Sequence, residues 1–278
     1  FLFLFVAAVD LLRLSDRLFH WFPEIVTRDP ARTKIVLFWT AGAFTLLQGL
    51  GGYINARNPV ITRLTIESSK PLPDGSLRLA VASDIHLGTI IGKRKAEKLV
   101  EMMNGLQADV ILFPGDIVDE DISRLAEERM AEALRDLSPK IGTFAVTGNH
   151  EYYAGEEEAV SYLESAGITV LRDQAVLLGG RLVLAGRKDR TAARFGGSRL
   201  PLPKILEDAP KGIPVLVMDH QPRNLDEAEA AGVSLQVSGH THNGQVFPFN
   251  FVTSRIYEVS RGWGSRGNTR VLVSSGVG

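Results

Sequence analysis

The sequence predicts an α/β domain behind an N-terminal membrane helix, and three observations carry that prediction. Ile35 to Ile54 is a run without a charged residue. From Leu77 to Ala166, short apolar runs alternate with helix-like stretches. The ends of the apolar runs gather His, Asp and Asn. Strands alternating with helices argue for parallel βαβ units. Open sheets of that kind place their ligands at the carboxyl ends of the strands.

The 278 residues, 45% hydrophobic and 23% charged, can hold one large domain or two small ones. A net charge of −1 without a basic block gives no footprint for a nucleic-acid partner, and no protein partner is implied. The absence of cysteine excludes disulfides and thiolate metal sites but leaves the compartment open. Any metal must then be held by His, Asp, Glu or Asn, a donor set suited to Mn, Fe or Zn. The start at Phe1 and the end at Gly278 after an apolar run predict a piece of a longer chain, truncated at its C-terminus.

Residues 1–57 read as an anchoring segment and 58–278 as the catalytic domain. Phe1 to Leu14 is a partial apolar helix, too short to span a bilayer. Ile35 to Ile54 is long enough to cross a hydrocarbon core of about 30 Å, with Trp39 and Tyr53 towards its ends as interfacial aromatics. The basic residues before it (Arg13, Arg17, Arg28, Arg32, Lys34) outnumber those soon after it (Arg57, Arg63, Lys70). Localisation at a membrane, with the catalytic domain on the extracytoplasmic side, is the expectation.

Beyond Asn58, Val60 to Glu67 alternates as a strand, followed by a turn at Pro71 to Gly75. Strands are expected at Leu77 to Ala82, Val110 to Phe113 and Thr143 to Val146, with helices at about Lys93 to Leu106, Ser123 to Leu137 and Glu156 to Ala166. Later runs (Ala175 to Leu178, Leu182 to Ala185, Val215 to Met218, Val233 to Val237, Val271 to Ser274) lack long helices between some pairs and suggest a second, mixed sheet. The Arg- and Gly-rich stretch Arg187 to Pro203 reads as a loop over the site, and its arginines are either solvated or placed to meet an anionic substrate.

Five of the six histidines, His86, His150, His220, His240 and His242, sit at ends of apolar runs beside Asp or Asn. His240 and His242 follow an apolar run, where an extended backbone would aim both imidazoles one way. Asp84 and His86 repeat that spacing. Asp116 follows a glycine that permits a tight turn, and Asn149 offers a neutral amide oxygen. Singly, Asp84 is as easily a helix cap, Asn149 a turn residue and the last pair a polar turn. Together they point to a metal site. His20, in a Phe-His-Trp-Phe run, is interfacial packing.

In order, these blocks read D-x-H (Asp84, His86), G-D-x-x-D (Gly115, Asp116, Asp119), G-N-H-E (Gly148 to Glu151), a lone His220, and G-H-x-H (Gly239, His240, His242). The set resembles the calcineurin-like metallophosphoesterases over about Leu77 to Gly278, and most of all the membrane-associated branch of bacterial YkuE- and YaeI-type phosphoesterases. The resemblance implies a four-layer αββα sandwich, two packed mixed sheets flanked by helices. It also implies two divalent metal ions. Asp84, His86, Asp116 and His242 would hold one; Asp116, Asn149, His220 and His240 would hold the other, with Asp116 bridging. His150 would be a catalytic residue facing the phosphate. Asp119 would fix its tautomer, a role for which Glu120 and Asp121 compete. Glu151 and Asp219 adjoin ligands and read as structural.

The implied reaction is hydrolysis of a phosphomonoester or phosphodiester by a metal-bridging hydroxide, without a protein nucleophile. A membrane helix just before the domain suggests either a lipid-linked substrate or an anchor that localises an enzyme acting on soluble or cell-wall phosphodiesters. Two rivals are a phosphate-recognising metal-binding module without turnover and a nuclease of the same fold. The first has no use for His150 and Asp119, and the second lacks its basic, aromatic-rich groove.

Overall fold

The computed structural model describes residues 1–68, 70–72, 75–119, 122–127 and 129–277, so Glu120, Asp121 and part of the Pro71–Gly75 turn lie outside the described residues. Its contacts divide the chain into Phe1–Arg63 and Leu64–Gly278.

The first unit is helical. Leu2–Phe19 forms a helix longer than the apolar run alone indicated, closed by His20 in the left-handed region. Pro30–Arg57 forms another. Asp29 caps it by accepting the Arg32 amide hydrogen, and Pro30 at its first position has no amide hydrogen to leave unpaired. This helix is long and apolar enough to cross a membrane. Its Ile35, Phe38, Trp39, Leu46 and Leu47 are exposed.

In the second unit, β1 (Leu79–Val81), β2 (Val110–Pro114), β3 (Gly142–Val146) and β4 (Thr169–Val170) form a parallel sheet in that order. A six-stranded sheet holds β5 (Gln174–Leu178), β6 (Leu182–Gly186), β7 (Val215–Met218), β8 (Leu235–Ser238), β9 (Gly262–Arg266) and β10 (Thr269–Val273), ordered β5-β6-β7-β8-β10-β9. It is mixed, because β5 and β9 run antiparallel to their neighbours.

Side-chain alternation explains the layers. Val110, Leu112, Phe144 and Val146 from one sheet meet Leu182, Leu184, Leu216, Met218 and Val237 from the other in a shared apolar core. The opposite faces are covered by helices. Ile111, Phe113 and Ala145 pack beneath Leu99, Val100, Leu134 and Leu163. Val183, Ala185 and Val217 pack beneath Leu202, Ile205 and Ala228. The result is a four-layer αββα sandwich.

Some local expectations change. Val60 to Glu67 forms no strand, although Ile66 packs against the shared core. The helix expected at Ser123 to Leu137 is two pieces, Ile122–Glu127 and Met130–Arg135, the second beginning after Arg129 in the left-handed region. Arg187 to Pro203 is not plain loop. It contains a 3-10 helix, Arg190–Phe195, capped by Asp189.

Candidate metal centre

Every candidate residue lies just past the carboxyl end of a parallel strand. Asp84 and His86 follow β1, Asp116 and Asp119 follow β2, and Asn149 and His150 follow β3. His220 follows β7, while His240 and His242 follow β8. Two bonds stitch the sheets together at this rim. The His240 amide donates to Asp84 Oδ1 at 2.9 Å, and His220 Nδ1–H donates to the Pro114 carbonyl at 2.8 Å.

The backbone here is not extended. Asp84 (φ 52°), His86 (φ 52°), Asp116 (φ 53°), His240 (φ 71°) and His242 (φ 45°) all occupy the left-handed region. Such a conformation costs a non-glycine residue about 1–3 kcal/mol and persists only where surroundings enforce it. The picture of two histidines on one side of an extended segment is therefore corrected. β8 stops at Ser238, and His242 begins a 3-10 turn. His240 Nδ1 lies 3.3 Å from His220 Nε2, whereas His242 Nε2 lies 3.2 Å from His86 Nε2.

Three overlapping sets of potential ligand atoms result: Asp84, His86 and His242; Asp116, His220 and His240; and His86, Asp116 and His150, each set within 4.8 Å. Asp116 belongs to two of them, and its Oδ2 is 3.1 Å from His220 Nε2. Asp119 Oδ1 lies 3.1 Å from His86 Nδ1 and 2.5 Å from His150 Nδ1.

Hydrogen bonding fixes what these rings present. His86 Nδ1–H donates to the Asp119 carboxylate, which turns Nε2 of that ring towards His242. His220 spends its Nδ1 proton on Pro114, leaving Nε2 to face Asp116 and His240. Asn149 Oδ1 is buried with no hydrogen-bond partner among the described residues. Lone pairs, carboxylate oxygens and an orphaned amide oxygen converging on common points fit divalent cations.

The electrostatics favour a proton at the point where His220 Nε2 meets Asp116, and a cation held there would take that proton's place. Burial opposes charge on His220, but the facing Asp116 carboxylate outweighs this and holds its pKa well above the usual imidazole value. Burial likewise pushes Asp116 up, and the charge and hydrogen bond of His220 more than reverse it, leaving it below the usual range. The site thus favours positive charge between these groups. Burial and the His220 charge push His240 down to about 4, so its ring is a neutral donor at pH 7.

Glu151 does more than its position in the sequence suggested. Fully buried, it accepts the amide hydrogens of Asp116 (3.0 Å), Ile117 (2.7 Å), Val118 (3.0 Å) and Gly148 (2.6 Å). It clasps the loop after β2 to the start of the helix Asn149–Ala154. Burial and the Asp116 charge raise its carboxyl to about 7. Three glycines complete the packing. A Cβ on Gly148 would lie 2.1 Å from Asp116 Oδ1, one on Gly239 2.2 Å from Asp84 Oδ2, and one on Gly115 2.5 Å from His220 Nδ1. These contacts show that the G-D, G-N and G-H pairs are steric requirements.

A sandwich of two sheets with imidazoles and carboxylates converging at their shared rim defines a metal-binding hydrolase architecture. The chain belongs to the calcineurin-like phosphoesterases: residues 77–244, more than half of it, match that family. It is 32% identical to a metallophosphoesterase of Helicobacter pylori over 94% of this chain and 70% of that one. It is 31% identical to a Danio rerio transmembrane protein with a metallophosphoesterase domain, covering all of this chain and 65% of the relative. It is also similar to the YkuE metallophosphoesterase of Bacillus subtilis, at 28% identity over 86% of each. Among solved structures it is similar to a 5'-nucleotidase precursor from Thermus thermophilus (18% identity, 73% of this chain and 49% of that one, TM-score 0.48). The enzyme class is phosphoester hydrolase.

Proposed function

We propose that this chain is a membrane-anchored phosphoesterase that hydrolyses a phosphomonoester or phosphodiester at a centre of two divalent cations. The observation that carries this reading is that two donor sets, Asp84-His86-His242 and Asp116-His220-His240, are linked by a third in which His86 and Asp116 come together. Asp84, His86, Asp116 and His242 hold one cation. Asp116, Asn149, His220 and His240 hold the other. When bound, the cations supply Lewis acidity that neutralises phosphate oxygens and makes water nucleophilic near pH 7.

The protein's own groups then have defined tasks. Asp119, through the hydrogen bond to Nδ1, orients His150 and leaves its Nε2 free to face the substrate. His150 stabilises charge on the phosphate or protonates the leaving oxygen. Asp84 is fully buried and takes hydrogen bonds from the His240 amide and the Ser83 hydroxyl, which fix its carboxylate.

The anchor is residues 1–57, with the catalytic domain from 58 onward on the extracytoplasmic side, as the basic residues before the membrane helix favour. A lipid-linked substrate is supported by a run of exposed apolar side chains, Phe247, Phe249, Phe251 and Val252, directly after the His242–Gly244 turn. The chain lacks cysteine, so one cysteine introduced at exposed Ser198 reports sidedness through an impermeant maleimide.

The decisive experiment assays the chain on bis(p-nitrophenyl) phosphate and p-nitrophenyl phosphate with Mn, Zn or chelator. Metal-dependent turnover that Asp116→Asn abolishes, together with lost bound metal, is expected. Full activity in chelator or in the variant sinks the reading.

A further inference from the structure

Beside the metal centre the structure has a cleft of about 450 Å³, whose walls include Asn149 and His240 from the centre itself. The other walls are Tyr153, Thr191 and Gln221 together with Arg190, Arg194 and Arg223. Nothing in the hydrolytic reading above uses those three arginines.

Arg194 and Arg223 are exposed, but the environment of Arg190 distinguishes it from solvated surface charge. Arg190 is half-buried, its Nε is buried without a hydrogen-bond partner, and it makes no ion pair among the described residues. The nearby acids make their ion pairs elsewhere, although Asp219 keeps one buried oxygen without a hydrogen bond among the described residues. Asp219 pairs with Arg199 and lies 3.5 Å from Arg187; Glu227 receives Arg187 at 2.8 Å. Asp189 caps its 3-10 helix and takes two bonds of 3.1 Å from Gln221. Arg223 is held by its cation–π contact over Tyr257, 4.8 Å from the ring centroid. Burial and then the charge of Arg199 lower the pKa of Arg190; the Asp219 charge opposes them, and Arg187 and Arg223 add to them, so the positive field prevails. A half-buried guanidinium with spare N–H donors and no ion-pair partner gains from an anion that accepts in its plane, which phosphate does.

We propose that this cleft is a subsite for a second anionic group, making the substrate class one with two phosphoryl groups, a diphosphate or bisphosphate ester. The inference rests on the phosphoesterase reading. One phosphoryl group lies at the Asn149 and His240 end, and the other meets Arg190 and Arg223. Tyr153, half exposed between His150 and Phe195, lines the passage between the two.

The test is calorimetric binding of propylphosphonate and of propane-1,3-bisphosphonate, whose P–C bonds resist hydrolysis, to the full chain in detergent with saturating Mn. Wild type is expected to prefer the bisphosphonate by about tenfold or more, and joint Arg190→Gln and Arg223→Gln substitution to remove most of that preference. Lysine at both positions retains part of it as point charges. Equal affinity for the two probes in wild type, or an undiminished preference in the glutamine variant, overturns the subsite. If the double variant loses both probes, Arg194→Gln is read by the same ratio. Absence of metal-dependent hydrolysis in wild type overturns the phosphoesterase reading instead, since the binding ratio does not depend on turnover.

Discussion

Asp119 Oδ1 lies 2.5 Å from His150 Nδ1, and the same oxygen is 3.1 Å from His86 Nδ1. One carboxylate thus sets the tautomer of two rings, one a proposed metal ligand and the other the proposed leaving-group acid. Outer partners of this kind tune affinity and activity by roughly 10–100-fold. Asp119→Asn is therefore expected to lower kcat by about that factor and to weaken the cation shared by His86. Titrating activity against Mn separates the two effects, and a variant equal to wild type in both would remove Asp119 from the mechanism.

His150 makes a different prediction because its role is a proton and not a coordinate bond. His150→Ala should cut turnover by about 10²–10⁴-fold, the usual span for a lost general acid. Metal content should stay near wild type. The loss should be smaller for a p-nitrophenolate leaving group, which needs little protonation, than for an alkyl phosphate. Lost metal in this variant would make His150 a ligand.

Gly239 tests the packing behind the ligands. It precedes His240, and a Cβ there would meet Asp84 Oδ2 at 2.2 Å and Ser83 Oγ at 2.6 Å. Those atoms belong to the buried carboxylate that also receives the His240 amide and to its hydroxyl partner, so relief requires moving Asp84 itself. Gly239→Ala should cost metal affinity and activity together. An alanine variant with normal metal content and kcat would mean that the β8 loop shifts freely.

How much of this was legible follows from what sequence encodes locally. The parallel half of the domain was readable because β1, β2 and β3 are apolar runs each followed by a helix. β9 (Gly262–Arg266) was not, since its two glycines weaken any strand pattern and it forms only by pairing with β10. The donors at the rim were visible as residue types at strand ends. Their left-handed conformations were not, because non-glycine residues adopt them only under tertiary constraint. The clasp by Glu151 was invisible for the same reason: three of its partners are amides 33 to 35 residues away. The separation of paired from unpaired arginines also depends on contacts between distant segments.

The Arg187–Glu227 pair gives a stability prediction away from the metals. Arg187 is buried, donates to Glu227 at 2.8 and 3.2 Å, and Glu227 also accepts the Leu202 amide at 2.7 Å. Burial acts to raise the Glu227 carboxyl, but the Arg187 bond and the Leu202 amide prevail and hold it below 4.5. A carboxyl with a depressed folded-state pKa contributes stability that is fully present above its unfolded value of 4.5 and lost as pH falls through the folded value. Glu227→Gln should therefore cost roughly 1–3 kcal/mol at pH 7, because it removes the doubly hydrogen-bonded carboxylate from a buried guanidinium and leaves it only the more distant Asp219. The melting-temperature gap between wild type and variant should hold from pH 7 down to about 5 and then close as the wild-type carboxylate takes up its proton. A gap that stays constant below pH 4.5 would show that the glutamine variant fails by packing and not by charge.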